Sequence, residues 1–135
     1  MKSRLICTSI LIALLALAAP AQAQEVPALQ FGSALADYAF GELVHFEITL
    51  QSEQPLKQAW ISIQPGEQTG AVLTRPADLS PGLASYDLDL ASQALRPFIQ
   101  VTYWFQVELQ NGETFTSEKF SFEYRDNRFN WQSLE

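Results

Sequence analysis

His45 is the one histidine in the 135-residue chain, so any acid–base or metal chemistry that needs an imidazole has to be built around it. Asp87 and Asp89 share a parity on an alternating segment, and His45 has the outward parity of another. An ion pair between His45 and Asp87 or Asp89 across two strands is therefore the first arrangement these residues suggest, and a surface histidine is the simplest account of it. Hydrolytic zinc chemistry needs clustered ligands, and the chain has neither a His-Glu-x-x-His pair nor a Gly-rich phosphate loop. A Ser–His–acid centre would have to use the same His45, and no serine is spaced to support it. Asp37, Glu42 and Glu47 could gather a calcium ion, yet their spacing matches no calcium loop. We expect no catalytic residue, no metal site and no cofactor.

The informative side chains are aromatic. Residues 98–110 place Ile99, Val101, Tyr103, Phe105, Val107 and Leu109 at a strict period of two, with Gln100, Thr102, Gln106 and Glu108 between them. That pattern is a long strand with one buried and one wet face; a helix would scatter the same residues round its circumference. Trp104 is the exception, an indole on the wet face. Residues 57–64 alternate in the same way, with Ala59, Ile61 and Ile63 inward and Trp60, Ser62 and Gln64 outward. If these two strands are neighbours, Trp60 and Trp104 lie on one outer face, as a docking surface or a sugar-stacking platform. The aromatic tail residues Phe129 and Trp131 could contribute to that surface or fold back and cover it. Docking or covering weighs more heavily than glycan binding on the sequence alone.

The other segments follow the same logic. Residues 43–50 put Val44, Phe46, Ile48 and Leu50 on one face, and residues 83–90 do so with Tyr86, Leu88 and Leu90. Short strands are expected at residues 28–33 and, as an edge, at 70–75, with Pro76 closing the latter. Residues 34–41 read as a loop crossing between sheets, residues 77–82 as a loop, and residues 91–97 as one helical turn. Asn111-Gly112 signals a hairpin. In the last strand Phe120, Phe122 and Tyr124 share a parity that Phe115 does not, which predicts a β-bulge near residues 117–119. About seven short strands and no long helix indicate an all-β, immunoglobulin-like or fibronectin III-like two-sheet sandwich, with a small closed barrel as the main alternative.

Residues 1–23 combine a basic start, an apolar run and Ala21-Gln-Ala23, the pattern of a secretory signal peptide cleaved after Ala23. The run is short for a membrane span, and Cys7 lies too early and behind the wrong residue for lipidation. Cleavage would leave 112 residues, no cysteine, and six basic against 15 acidic residues, a net charge near −9. Such a chain is expected to be secreted or extracytoplasmic, to form one domain over residues 24–125 followed by a tail at 126–135, and to repel nucleic acid and anionic lipid.

Three motifs also carry a family resemblance: Phe40-Gly-Glu-Leu-Val-His-Phe46, Val101-Thr-Tyr-Trp-Phe-Gln-Val-Glu108, and Phe122-Glu-Tyr-Arg-Asp-Asn-Arg-Phe-Asn-Trp-Gln-Ser-Leu134. In that order they resemble the N-terminal immunoglobulin-like domain of secreted bacterial, Chloroflexi-type proteins in which a gluzincin (peptidase MA-like) metallopeptidase domain follows. The third motif is the most specific. The resemblance covers most of the chain after residue 23 and supplies no zinc ligand or catalytic glutamate, because the peptidase part has no counterpart here. It implies a non-catalytic accessory module that packs against a peptidase-like domain or another protein partner. A carbohydrate-binding module that uses Trp60 and Trp104 on a polysaccharide is the alternative.

Overall fold

The computed structural model describes residues 25–67 and 70–129; the proposed signal peptide, Trp131 and the rest of the tail lie outside the described residues. Among the described residues eight antiparallel strands form: β1 (Leu29–Ala39), β2 (Leu43–Ser52), β3 (Leu56–Pro65), β4 (Leu73–Ser80), β5 (Leu83–Asp89), β6 (Ile99–Leu109), β7 (Thr114–Thr116) and β8 (Phe120–Tyr124). Their order is β1-β2-β5-β4-β3-β6, with β7 and β8 pairing successive stretches along the free edge of β6.

The all-β expectation holds, while the separation into two sheets does not. β4 pairs with β3 through Leu73 to Ala77 and then with β5 through Asp78 to Ser80, so one strand serves both halves. The result is a single eight-stranded sheet curled into a half-barrel rather than a clear two-sheet sandwich of seven strands. Pro76 misled the sequence reading. It was taken as the end of a short edge strand, yet it sits within β4 opposite Trp60, one residue before the last β3 pair, where the strand is about to change partners. A proline is tolerated where a strand bends or changes partner, because it has no N–H to contribute to a continuous ladder.

Inward parity builds the core as expected. Val44, Phe46, Ile48, Ile61, Ile63, Ala84, Val101, Phe105, Val107 and Leu109 are fully buried, and each large aliphatic or aromatic side chain withdrawn from water in this way contributes about 1.5–3 kcal/mol. Aromatic rings fill the space between the two limbs of the curl. Phe46 lies 4.9 Å from Tyr103, Tyr38 lies 5.6 Å from Phe122, and Phe40 stacks on Tyr124 at 5.0 Å. Where β1 and β8 face each other, side chains replace a strand ladder. The Gly41 N–H donates to the Tyr124 hydroxyl at 2.8 Å, and the Arg125 N–H donates to that of Tyr38 at 3.2 Å.

Two bulges correct parity that the sequence leaves inconsistent. The bulge expected near residues 117–119 is present: Gln106 pairs with Thr116 but Tyr103 pairs with Phe120, one extra residue on the β7–β8 side. Ser117 bridges the gap. Its hydroxyl accepts from the Phe105 N–H at 3.0 Å and donates to the Glu118 carbonyl at 2.7 Å. The second bulge is in β1, where Phe31 pairs with Leu50 and Ala34 with Ile48, leaving Gly32 and Ser33 opposite Thr49. It turns Ala34, Ala36 and Tyr38 inward, so residues 34–39 continue the strand instead of crossing between sheets. Residues 91–97 contain one α-type turn, with the Gln93 N–H donating to the Asp89 carbonyl at 3.0 Å. The Asn111-Gly112 hairpin closes through the Gly112 N–H to the Leu109 carbonyl, and only Gly112 takes positive φ, at 89°. Phe98 also adopts positive φ, at 61°, and is 63% exposed.

Gly32 is required by contact. A Cβ there would stand 2.2 Å from Thr49 Oγ1, the hydroxyl that donates to the Ser33 carbonyl across the bulge. Gly32→Ala is expected to lower stability in urea unfolding by about 1–2 kcal/mol, with a second change, Thr49→Ala, recovering part of the loss. Unchanged stability of Gly32→Ala would contradict this packing.

Candidate functional site: a tryptophan platform opposite an acidic row

The outward parity of the two halves of the sheet produces two chemically different faces. On β1, β2 and β5 the register places Asp37, His45 and Asp87 side by side in one row. His45 Nδ1 meets Asp87 Oδ1 at 2.5 Å, and Nε2 lies 3.5 Å from Glu47 Oε2. The cross-strand pair, which the sequence offered only as an alternative to a plain surface histidine, therefore forms, with Asp87 rather than Asp89. Both ring nitrogens face carboxylates, and no hydroxyl hydrogen-bonds to the ring among the described residues. The arrangement serves as an ion pair. Asp37, Glu42 and Glu47 do not converge; among the described residues no three His, Cys, Asp or Glu side chains are placed to hold a metal ion.

The opposite half carries the tryptophans. β3 and β6 are direct neighbours, with Trp60 opposite Gln106 and Ser62 opposite Trp104. The two indoles thus occupy diagonal positions on one outer face, with Cα atoms about 7–8 Å apart in such a register. Each is half-buried. Around them the face is polar and mostly uncharged. Thr74 and Ser62 share a hydroxyl–hydroxyl hydrogen bond of 3.1 Å on one side, and Gln106 and Thr116 are paired on the other. The Glu108 carboxylate on this face accepts from Lys57 Nζ at 2.8 Å and from Gln58 Nε2 at 2.6 Å, and Glu123 of β8 stands opposite Gln100. The two hydrogen bonds to Glu108 hold its pKa below the ordinary glutamate value, so it stays ionised and neutralised in place.

Lys119 is a member of this surface that the sequence reading missed. Its ammonium stands 4.5 Å from the centroid of the Trp104 ring. The signal was present: a bulge at residues 117–119, followed by inward Phe120, puts Lys119 on the outer face next to the middle of β6. Of the two expected tail residues Phe129 alone is described: it is 60% exposed beside Arg128, whose guanidinium also covers Phe40. Trp131 lies outside the described residues. Among the described residues one concavity is lined by Val26, Pro27, Gln30 and Glu53 and another by Pro65, Ala71, Val72 and Arg96, and neither includes Trp60 or Trp104.

The hydrogen bond to Asp87, ahead of the weaker pull of Glu47, raises the His45 pKa above its ordinary 6.5. Protonated His45 is thus favoured in the folded state. Its stabilising contribution is complete below pH 6.5 and disappears as the pH rises through the higher folded-state value. Thermal unfolding followed between pH 5.5 and 8.5 is expected to show a fall in Tm as the pH rises above 6.5, one that Asp87→Asn reduces. Identical pH profiles for the two proteins would contradict the pairing.

No protein-family model matches the chain, and no curated protein matches it in sequence. Solved structures match in fold. The carbohydrate-binding module BhCBM56 superimposes with a TM-score of 0.50 at 14% identity, covering 67% of this chain and 88% of that one. A myokine gives 0.54 at 12% identity, over 68% and 92%. OgpA from Akkermansia muciniphila gives 0.51 at 15% identity, over 76% of this chain and 30% of its own. A second family 56 carbohydrate-binding module, described as a β-1,3-glucan binding domain, gives 0.47 at 14% identity, over 70% and 99%. At these identities the shared feature is the fold.

Proposed function

We propose that the chain is a non-catalytic carbohydrate-binding module that takes a polysaccharide on the outer face of β3 and β6. One observation carries the reading: Trp60 and Trp104 form a diagonal pair on the outer face of β3 and β6, among hydroxyl and amide side chains and beside the paired Lys57 and Glu108. Half-buried indoles on a sheet offer rigid apolar area to the C–H faces of sugar rings, and the Ser, Thr and Gln side chains between them suit sugar hydroxyls. A shallow face, unlike a closed pocket, accommodates a polymer that enters and leaves at both ends. The carbohydrate-binding modules among the structural neighbours agree with this reading without carrying it. Export, expected from the signal-peptide pattern, would bring such a module to extracellular glycans.

A second reading has its own observation. At the end of the sheet where the chain leaves β8, Leu43, Val72, Phe98 and Phe129 expose 38%, 46%, 63% and 60% of their surface. This apolar end, next to the third sequence motif, favours the accessory module that the family resemblance implies, packed against a peptidase-like domain. The two readings use different surfaces, so one experiment separates them.

Titration with a soluble β-1,3-glucan, read by calorimetry, is expected to give saturable binding that Trp60→Ala and Trp104→Ala each weaken about tenfold, ~1.4 kcal/mol. Phe98→Ser should leave it unchanged. If the alanine variants fail to fold by urea unfolding, the more conservative Trp→Phe pair replaces them. A platform whose loss leaves glycan affinity intact, or a protein that binds no glycan of a neutral panel, overturns the proposal.

A further inference from the structure

We infer that the platform is selective for uncharged glycans and that Lys119 is a resident cation on it, one that a sugar must displace from Trp104. This rests on the carbohydrate reading above and adds the class of ligand and the residue that limits its affinity.

The position of Lys119 follows from the chain. Phe115 and Phe120 must both face the core, yet their spacing has the wrong parity for one regular strand. The bulge between Thr116 and Phe120 resolves that conflict, and bulges re-aim the side chains beside them. Lys119 then leaves the strand on the outer face, and its ammonium rests 4.5 Å from the Trp104 centroid. Among the described residues it forms no ion pair. Glu108, a carboxylate of the same face, is already held by Lys57 and Gln58. The cation therefore stands where a sugar ring would stack, with the ring itself as its partner.

The class of ligand follows from charge. The hydroxyl and amide groups of the platform match sugar hydroxyls. The carboxylates of Asp37, Glu47, Asp87 and Asp89 line the other half of the sheet, and the chain after residue 23 carries a net charge near −9. On the β8 side Glu123 stands opposite Gln100 with Arg125 4.0 Å from its carboxylate, so the field a polyanion meets is that of the whole chain's net charge. One ammonium does not offset that field. An uncharged chain escapes the repulsion and has only the cation on Trp104 to displace.

An ammonium over an exposed aromatic ring is worth ~0.5–1 kcal/mol, so removing it should tighten binding of a neutral glucan about two- to fivefold. Lys119→Met is the test, with the parent β-1,3-glucan and its carboxymethyl derivative as probes. The expected results are tighter binding of the parent glucan by Lys119→Met, no such gain when Trp104→Ala is already present, and weaker binding of the carboxymethyl form by the unaltered protein. A weaker grip on the parent glucan by Lys119→Met would make Lys119 a ligand contact. Preference for the carboxymethyl form would overturn the ligand class. Either result leaves the carbohydrate reading standing. Binding of neither probe removes that reading and the specificity with it. The cap itself is then still read without ligand: with Trp104 as the sole tryptophan (Trp60→Phe, Trp131→Phe), Lys119→Met should increase acrylamide quenching, and equal quenching would show that no cap exists.

Discussion

The buried face of β6 is the constraint on which the rest of the molecule depends. Val101, Tyr103, Phe105, Val107 and Leu109 are each at most 3% exposed, and β6 pairs with β3 on one side and with β7 and β8 on the other. Side chains alternate strictly along a strand, so slipping by one residue would expose all five at once. At roughly 1.5–3 kcal/mol for each large side chain, that slip would cost as much as the whole stability of a domain this size. Register is therefore not negotiable, and Trp104 has to face out. Its neighbour β3, locked by Ala59, Ile61 and Ile63, turns Trp60 to the same side. The platform is a consequence of the core.

The adjustments that the chain makes elsewhere serve the same requirement. Each bulge inserts one residue where the apolar pattern changes parity, which keeps Phe120 and Tyr124 on the inside of β8 and Tyr38 on the inside of β1. At the β7–β8 break the Ser117 hydroxyl takes the place of a missing backbone acceptor, so Phe105 keeps a satisfied N–H in the middle of the core strand. The seam between β1 and β8 is closed by Tyr38, Phe40 and Tyr124, through ring contacts and hydroxyl hydrogen bonds instead of a ladder. These details explain how a curled open sheet stays shut around its core without a disulfide.

What could be read from the sequence was whatever depended on parity within one element. The inward residues of β2, β3, β5 and β6, the bulge at residues 117–119, the neighbouring of Trp60 and Trp104, and the pairing of His45 with an aspartate all follow from period-two patterns. What could not be read depended on partners remote in sequence. Nothing local in residues 73–80 says that one strand joins both halves of the sheet, and Pro76 argues against a strand there at all. The β1 bulge hid in the same way, because the expected strand stopped at Ser33 and nothing local shows that Gly32 has to clear the hydroxyl of Thr49. Lys119 was overlooked because its meaning depends on where a bulge aims it. The exposure of the tryptophans was also overstated, since both indoles lie half-buried on the sheet.

The two outer faces differ in chemistry, with the row of Asp37, His45 and Asp87 on β1, β2 and β5, and on β3 and β6 the tryptophans and hydroxyls beside one Lys57–Glu108 pair. The measurement that tests the account most directly is a titration of 15N-labelled protein with a soluble neutral glucan, followed through the indole N–H resonances. The account predicts that the Trp60 and Trp104 signals shift together and saturate at one ligand concentration, with the amide signals of His45 and Phe98 unmoved. Shifts confined to the end of the sheet around Phe98 and Val72, or tryptophan signals that stay in place at saturating glucan, would contradict it.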